Sequence, residues 1–167
     1  MNKKDLGIIF GLFLAIALLI VFGKGFTSLR SIQSVDQATA SASSKAVTSV
    51  KIGDFTVNAK IANKPDELRT GLSKTDSLAF DSGMLFVFDK DEKLTFWMKD
   101  MKFPIDIIWI SKDRKIVKID KNVPIEPDKK DNELTRYSSN ALYVLEINAG
   151  VSDLKGIMIG NAVELTL

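Results

Sequence analysis

The stretch MLFVFDKDEKLTFWM, residues 84–98, decides the fold predicted for this chain. Two runs of aromatic, branched and other apolar side chains, residues 84–88 and 94–98, flank the charged run DKDEK at residues 89–93. Short apolar runs bounded by polar residues are typical of β-strands. The pattern therefore predicts a β-hairpin with the charged run as its loop.

Further strands are predicted on both sides of this hairpin. Residues 47–61 alternate around the turn signal Gly53-Asp54 and predict a hairpin or two short strands. Residues 105–110 and 115–120 predict another pair, and residues 141–147 and 162–167 predict two more strands. About eight short strands at this spacing indicate a mainly β fold, a small antiparallel sandwich or jelly-roll-like barrel.

One or two short helices complete the predicted fold. Pro65 suits the first position of a helix, and Asp66 and Glu67 suit the positive end of its dipole. Gly71 is placed to end this helix. Residues 124–132 are polar, contain proline and predict a loop.

The N-terminal region predicts a single transmembrane helix. Residues 6–22, LGIIFGLFLAIALLIVF, carry no charge and would span about 25 Å as a helix, the short end of what a bilayer requires. A cleaved signal peptide is the alternative, because it also has a basic start and an apolar run. The run is slightly long for a signal peptide, and the A-x-A sequence at residues 38–40 lies well beyond it. An uncleaved anchor is therefore favoured.

Residues 23–47 predict a flexible linker between this anchor and the domain at residues 48–167. They are rich in Ser, Ala, Thr and Gln and have few large apolar side chains to offset the entropy of ordering. A short, weak helix is the alternative. Basic residues flank the anchor almost equally, so the positive-inside rule gives a near tie. Because a long domain follows a short N-terminus, residues 1–5 are expected in the cytoplasm and the domain on the extracytoplasmic side.

Composition excludes several kinds of site. The chain has no Cys and no His, so it cannot build a thiolate nucleophile, a disulfide or a Ser-His-Asp triad. Residues 48–167 carry 18 basic and 19 acidic side chains, and this near-neutral charge does not favour nucleic acid. The sequence predicts no metal and no cofactor. It predicts the membrane as a partner through residues 6–22 and leaves any ligand or protein partner open.

A set of motifs resembles a bacterial and archaeal family called domain of unknown function 192. The motifs are GL at 71–72, GMLFVF at 83–88, FWMK at 96–99, PIDII at 104–108, IVKI at 116–119, Pro124, YVLEINAG at 143–150 and GIMIGNAV at 156–163. The resemblance covers the whole predicted domain. It implies a mainly β sandwich of jelly-roll type, often exported, and no established activity.

The chain departs from this family pattern at two places. Residues 73–75 read SKT, where members often have Met-Gly-Arg or a similar sequence. Many members carry a Cys in the loop that corresponds to residues 126–135, and this chain has none. Any role of that Cys is therefore absent here.

Two acidic residues fall on predicted apolar strand faces and are the catalytic candidates. Asp106 alternates with Ile108, and Glu146 alternates with Val144. A buried carboxyl group must be paired or neutralised, and its pKa rises unless a cation or hydrogen-bond donors oppose the shift. This is how a general acid or base arises. The alternative is a structural role, in which each carboxylate binds backbone N–H groups or a basic side chain.

Four residues are candidates for ligand binding: Trp97, Lys99, Arg69 and Tyr137. Alternation places Trp97 and Lys99 on one face, so the indole could line a groove and stack on a sugar or peptide. The alternative for Trp97 is an ordinary core position. Lys99, Arg69 and Arg136 are also candidate partners of the buried carboxyl groups. Tyr137 opens the polar sequence YSSN at 137–140, which could face a ligand or form a solvated loop.

Three functions remain open, and a non-enzyme is favoured. The first is a membrane-anchored extracytoplasmic domain that binds a small ligand or protein without catalysis. The second is an envelope hydrolase that uses Asp106 and Glu146 as a carboxylate pair, which needs carboxyl groups roughly 5–9.5 Å apart across a cleft. The third is a structural accessory subunit, which predicts an exposed apolar patch and no pocket.

Overall fold

The computed structural model describes residues 47–167. The predicted N-terminal tail (residues 1–5) and anchor (residues 6–22) lie outside the described residues, as does all but the last residue of the predicted linker (residues 23–47). Within residues 47–167, neither of the two helices has the length and apolar character needed to cross a membrane.

Seven strands and two short helices form the described domain. The strands are β1 (Val47–Ile52), β2 (Phe55–Ala62), β3 (Ser82–Phe96), β4 (Ile105–Ile110), β5 (Ile116–Val123), β6 (Tyr137–Asn148) and β7 (Val163–Leu165). The helices are α1 (Pro65–Thr70), which follows β2, and α2 (Val151–Leu154), which follows β6. The prediction of a mainly β fold with one or two short helices is therefore confirmed.

All seven strands belong to one sheet, in the order β5-β4-β6-β3-β2-β1-β7. Neighbouring strands are antiparallel except β2 and β3, which run parallel. The sheet curls until its two edges meet at one point, where Lys115 forms an antiparallel bridge with Ala162. There the N–H of Ile116 donates to the carbonyl oxygen of Asn161 at 3.0 Å. Of the two predicted alternatives, a small antiparallel sandwich or a jelly-roll-like barrel, the structure is nearer the barrel. It is a single curled sheet that closes incompletely and contains one parallel pair, β2 and β3.

Strand β3 corrects the predicted hairpin at residues 84–98. The first apolar run and residues 94–96 of the second lie in the same strand, which pairs antiparallel with β6, whereas Trp97 and Met98 follow the strand. Val87 lies opposite Tyr143 and Glu92 lies opposite Ala141, so residues 88–91 stand opposite Leu142 alone. The charged run is a bulge in a continuous strand rather than a turn. Pairing with a central strand on both sides of the bulge buries more apolar surface than an isolated two-stranded ribbon would.

Both faces of the sheet are buried at the central strands β3, β4 and β6, whereas β1, β7 and most of β2 bury one face only. An inner cluster receives buried side chains from all seven strands, as the inside of a curled sheet requires; it includes Val50, Val57, Leu85, Ile108, Leu145, Ile157 and Val163. An outer cluster lies on the opposite face; it includes Leu72, Met84, Phe86, Ile107, Trp109 and Val144. All six residues of β4 are buried and alternate between the two faces.

Helix α1 begins and ends where its sequence predicts. Pro65 occupies the first turn together with Asp66 and Glu67. Gly71 follows the helix with φ of +50°, and its N–H donates to the carbonyl oxygen of Glu67 at 2.8 Å. The chain then turns so that Leu72 is buried in the outer cluster. This turn covers the face on which the candidate site lies.

Candidate functional site

A cavity of about 610 Å³ lies over the outer cluster. Its lining comes from the end of α1 and the turn after it, from both halves of β3 and the segment after that strand, and from one residue of β6. The lining residues are Leu68, Arg69, Thr70, Gly71, Leu72, Ser73, Lys74, Phe86, Phe88, Thr95, Phe96, Trp97, Lys99, Asp100, Met101 and Glu146. This cavity, called the Glu146 cavity below, has the volume of a small-ligand pocket.

Glu146 is the β6 residue in this lining. The strand register places it opposite Met84 of β3 and Ile107 of β4, so its side chain lies between two apolar neighbours on the outer face. It is 6% exposed, and its Oε2 atom has no hydrogen-bond partner within the described domain. Burial raises the pKa of Glu146 to about 8. At pH 7 the group is therefore mostly a neutral carboxylic acid, which both donates and accepts hydrogen bonds.

Aromatic rings form a wall of the cavity. The ring of Phe96 meets Phe86 edge-on at a centroid distance of 4.9 Å and Phe88 at 6.3 Å. On the core side, Phe96 packs edge-on against the buried Trp109 at 5.5 Å. Edge-to-face contacts restrict the orientation of each ring. The wall is therefore held in shape by the core.

Trp97 lies at the mouth of the cavity and is 45% exposed. The guanidinium group of Arg136 stacks over its indole ring, 4.5 Å from the ring centroid, in a cation–π contact. Arg136 also donates to the carbonyl oxygen of Asp131 at 2.8 Å, and the side chain of Asp131 forms an ion pair with Lys99. The loop that carries Asp131 and Arg136 thus holds two residues of the mouth in place.

This loop is closed by Glu126. Its carboxylate accepts hydrogen bonds from the N–H of Thr135 at 2.9 Å, the hydroxyl of Thr135 at 2.7 Å and the ammonium group of Lys129 at 2.5 Å. These bonds, that of Lys129 foremost, lower the pKa of Glu126 to about 2. The loop between β5 and β6 is therefore closed by a carboxylate.

The exposed edge of the cavity is basic. Arg69, Lys74 and Lys99 are all exposed lining residues. The hydrogen bond with Asp131 raises the pKa of Lys99. Arg69 and Lys74 form no ion pair within residues 47–167. With Glu146 neutral, Asp100 is the one acidic charge among the lining residues, so the cavity carries an excess of positive charge at pH 7.

Asp106 has a different environment. It is fully buried, and its carboxylate accepts backbone N–H groups of Asn122 at 2.7 Å, Ser152 at 2.9 Å and Gly150 at 3.2 Å. These three donors lie on β5 and at the start of α2. Asp106 therefore joins three parts of the fold and has the structural role that the sequence left open.

Asp106 and Glu146 lie on opposite faces of the sheet. Asp106 pairs with Ile147, whose side chain belongs to the inner cluster, whereas Glu146 pairs with Ile107, whose side chain belongs to the outer cluster. Residues directly opposite each other in an antiparallel pair share a face. The two carboxyl groups cannot flank one cleft, so the geometry does not assemble the carboxylate pair of the hydrolase hypothesis.

The structure brings together four of the six residues singled out from the sequence: Glu146, Trp97, Lys99 and Arg69. Tyr137 lies opposite Phe96 and packs against the outer cluster beside the cavity, where burial raises its pKa.

Sequence reasoning missed Lys74, Phe88 and Met101 of the lining. Phe88 carried a signal, because it alternates with Phe86. Lys74 and Met101 lie in irregular segments, where alternation gives no guide to direction.

Three exposed apolar side chains lie on the connection between β6 and β7. Leu154, Met158 and Ile159 are 71%, 62% and 65% exposed. The accessory-subunit hypothesis predicts an exposed apolar patch together with the absence of a pocket. The described domain has exposed apolar side chains together with a cavity.

These features define a small, mainly β domain with a curled sheet and a cavity of ligand size. Comparison with known families shows that the chain belongs to the DUF192 family, described as "Uncharacterized ACR", which matches residues 48–165. The resemblance seen in the sequence motifs is thereby confirmed. A comparison with curated proteins gives no match.

Two solved structures are similar to this chain. One is a "putative transcription regulator" from Sinorhizobium meliloti 1021, with a TM-score of 0.66 and 26% identity over 72% of this chain and 95% of that chain. The other is a protein of unknown function from Novosphingobium aromaticivorans DSM 12444, with a TM-score of 0.62 and 28% identity over 71% of this chain and 84% of that chain. Both similarities support the fold.

Proposed function

We propose that this chain is a membrane-anchored, extracytoplasmic binding module that takes a small organic ligand into the Glu146 cavity without catalysis. The observation that carries the proposal is a buried carboxyl group, with one oxygen unpartnered in the described domain, in the lining of a cavity of about 610 Å³. A buried polar atom without a partner costs roughly 1–3 kcal/mol. A ligand that supplies the missing hydrogen bond would remove this cost.

Binding is supported better than catalysis by the chemistry of the cavity. The chain has no His or Cys to act as a nucleophile or as a base near neutral pH. The second acid of the hydrolase hypothesis, Asp106, lies on the other face of the sheet. A rigid aromatic wall and a basic mouth are features that recognise a ligand.

The charge of the domain does not favour binding to nucleic acid. One of the similar structures is described as a "putative transcription regulator". Residues 48–167 of this chain carry one more acidic than basic side chain, whereas a nucleic-acid-binding domain is expected to have a basic excess.

The membrane part of the proposal rests on the apolar residues 6–22. We expect the full-length chain to sediment with membranes, to resist extraction by carbonate and to dissolve in detergent. Deletion of residues 6–22 should release it, and protease added outside the cell should degrade the domain. N-terminal sequencing of the mature protein distinguishes the anchor from a cleaved signal peptide. A mature N-terminus after residue 22 would identify a signal peptide and contradict the anchor.

Ligand binding is tested with a fragment library on the full-length protein in micelles, observed through the indole N–H signals of its two tryptophans. Trp97 lines the mouth, whereas Trp109 is buried in the core. We expect bound fragments to shift the Trp97 signal and not that of Trp109. The variant Thr95→Tyr, which enlarges a side chain of a lining residue, should weaken the binding of these fragments about tenfold or more.

The matched control is Thr56→Tyr, because Thr56 is an exposed strand residue outside the lining. It should leave fragment binding unchanged. A library in which no fragment shifts Trp97, or equal binding to the two tyrosine variants, would overturn the binding function.

A further inference from the structure

We infer, on the basis of the proposed binding function, that the ligand of the Glu146 cavity is a flat organic anion with a neutral hydrogen-bonding group at the end opposite its charge. The inference rests on a gradient of burial along the lining. Glu146, Phe86 and Leu72 are 6%, 1% and 2% exposed, whereas Arg69 and Lys74 are exposed to solvent. The carboxyl group therefore lies at the closed end, and the cations lie at the open end.

The closed end selects a neutral group. The neighbours of Glu146 on the outer face, Met84 and Ile107, supply neither a cation nor a strong donor. A protonated carboxyl group there donates to a ligand carbonyl through one oxygen and accepts a ligand N–H or O–H through the other. A primary carboxamide offers both partners at once. A ligand ammonium group would first require the loss of the proton, which costs about tenfold in affinity at pH 7 for a pKa of about 8.

The middle of the cavity selects a flat apolar body. Phe88, Phe96 and Met101 are half-buried lining residues, intermediate in exposure between Glu146 and the basic residues, and Trp97 adds an aromatic ring at the mouth. Aromatic rings favour planar partners through stacking or edge contacts, and a thioether adapts to a ring edge. A flat ring is therefore accommodated better than a branched polar group such as a sugar.

The mouth selects an anion. Arg69 and Lys74 lie on either side of Gly71, and neither has an ion-pair partner within residues 47–167. A guanidinium group binds a carboxylate through two parallel hydrogen bonds, and a nearby ammonium group adds a second charge. Lys99 is held by Asp131, so it orders the mouth rather than offering a free charge.

The test compares four probes on the full-length protein in micelles at pH 7: 4-carbamoylbenzoate, benzoate, benzamide and 4-(aminomethyl)benzoate. The first has the anion, the ring and the neutral carboxamide. Benzoate lacks the carboxamide, benzamide lacks the anion, and the last probe carries an ammonium group at the far end. We expect 4-carbamoylbenzoate to bind about tenfold more tightly than each of the others, by calorimetry and by the shift of Trp97.

Variants assign each preference to its residues. The double variant Arg69→Gln and Lys74→Gln should lose the preference for the anion, so that it binds 4-carbamoylbenzoate and benzamide with equal affinity. The variant Glu146→Leu should lose the preference for the carboxamide, so that it binds 4-carbamoylbenzoate and benzoate with equal affinity. The control is the double variant Lys60→Gln and Lys64→Gln, which removes two exposed lysines outside the lining and should leave the order of affinities unchanged.

Three results among the probes would overturn this ligand class, and so would the absence of any probe binding. If benzamide binds as tightly as 4-carbamoylbenzoate, the cavity does not recognise an anion. If benzoate binds as tightly as 4-carbamoylbenzoate, Glu146 does not bond to the carboxamide. Preferred binding of 4-(aminomethyl)benzoate, with proton release seen as an enthalpy that changes with the buffer, excludes the neutral closed end. If library fragments shift Trp97 while no probe does, the ligand class fails and the binding function stands. If neither library nor probes shift Trp97, both fail.

Discussion

Glu146 and Asp106 are two buried carboxyl groups on neighbouring strands with opposite surroundings. Three backbone N–H donors satisfy Asp106, whereas Glu146 faces Met84 and Ile107 and keeps one oxygen unpartnered in the described domain. Strand alternation predicts from the sequence that both are buried. It could not predict their different roles, because the donors to Asp106 come from residues 16, 44 and 46 positions away.

Replacement of Glu146 by Gln should change how stability depends on pH. The folded protein holds a proton at Glu146 up to a pKa of about 8, whereas the unfolded chain releases it near the ordinary value of 4.5. The contribution of the protonated group to the free energy of unfolding is fully present below pH 4.5. It is lost as the pH rises to 8, at about 1.4 kcal/mol per pH unit. We expect the free energy of unfolding of Glu146→Gln to equal that of the wild type near pH 4.5.

At pH 8 the same variant should be more stable than the wild type by roughly 3–5 kcal/mol. Urea denaturation of both proteins at pH 5, 6.5 and 8 measures the difference. Parallel pH profiles of the two proteins would contradict the assignment of the raised pKa to Glu146.

Replacement of Asp106 by Asn should destabilise the domain without affecting the cavity. The amide keeps one acceptor oxygen and turns an N–H₂ group toward backbone donors, so the free energy of unfolding should fall by about 2–4 kcal/mol. The control Asp153→Asn removes an exposed ion pair with Lys121 and should cost less than about 1 kcal/mol. Urea denaturation gives both values, and equal losses in the two variants would refute the structural role of Asp106.

The elements α1 and β3 mark how far local sequence predicts structure. The signals that start and end α1 all lie within residues 63–71, so the helix was predicted correctly. The form of β3 depends on pairing with β6, which lies far along the chain; Val87, for example, pairs with Tyr143. A hairpin and a bulged continuous strand share the same local pattern of apolar runs around charges. The parallel pairing of β2 and β3 was missed for the same reason.

Replacement of Gly71 by Ala tests the turn that covers the cavity. An added Cβ atom would lie 3.2 Å from the Cζ atom of Phe86, and the backbone has φ of +50° and ψ of −132°. We expect a loss of about 2–3 kcal/mol in the free energy of unfolding, because backbone strain and close contact act together.

Gly53 offers a matched control, since it also has positive φ but has nothing within 4 Å of an added Cβ atom. The variant Gly53→Ala should cost about 1 kcal/mol. Thermal or urea denaturation of both variants distinguishes the contact with Phe86 from the backbone effect. A Gly71→Ala variant no less stable than Gly53→Ala would show that the close contact is not important.

One face of the single sheet is buried along all seven strands, and the other face is buried at β3, β4 and β6. Alternating strands predict a buried face, but they cannot tell whether a second sheet or the same sheet, curled, covers it. The mainly β class and the two alternatives of sandwich or barrel were therefore predictable, and the choice of a single incompletely closed barrel between them was not. The same limit applies to the site. Arg69, Trp97 and Glu146 were each candidate site residues from the sequence, but their assembly in one cavity depends on the order of strands in the sheet.

Closure of the barrel should depend on Ile157, which is 1% exposed in the inner cluster. Its replacement by Ala should cost about 2–5 kcal/mol and speed hydrogen exchange at the amides of Ile116, Gly160 and Val163, which bond across the meeting edges. The control Ile159→Ala alters a residue that is 65% exposed and should change stability by at most about 0.5 kcal/mol. If hydrogen exchange at these amides is unchanged in Ile157→Ala, closure of the barrel does not depend on Ile157.

The edges of the sheet meet at one point, so part of β5 remains an outer edge in the described domain. Beyond Ile116 this edge carries the ion pair of Lys118 and Asp120 at 2.9 Å, followed by Lys121 and by Asn122 with φ of +51°. Charges and a local kink on an edge strand obstruct the addition of a strand from another copy. Crowding of many copies of this domain should therefore not lead to intermolecular β-aggregation through β5.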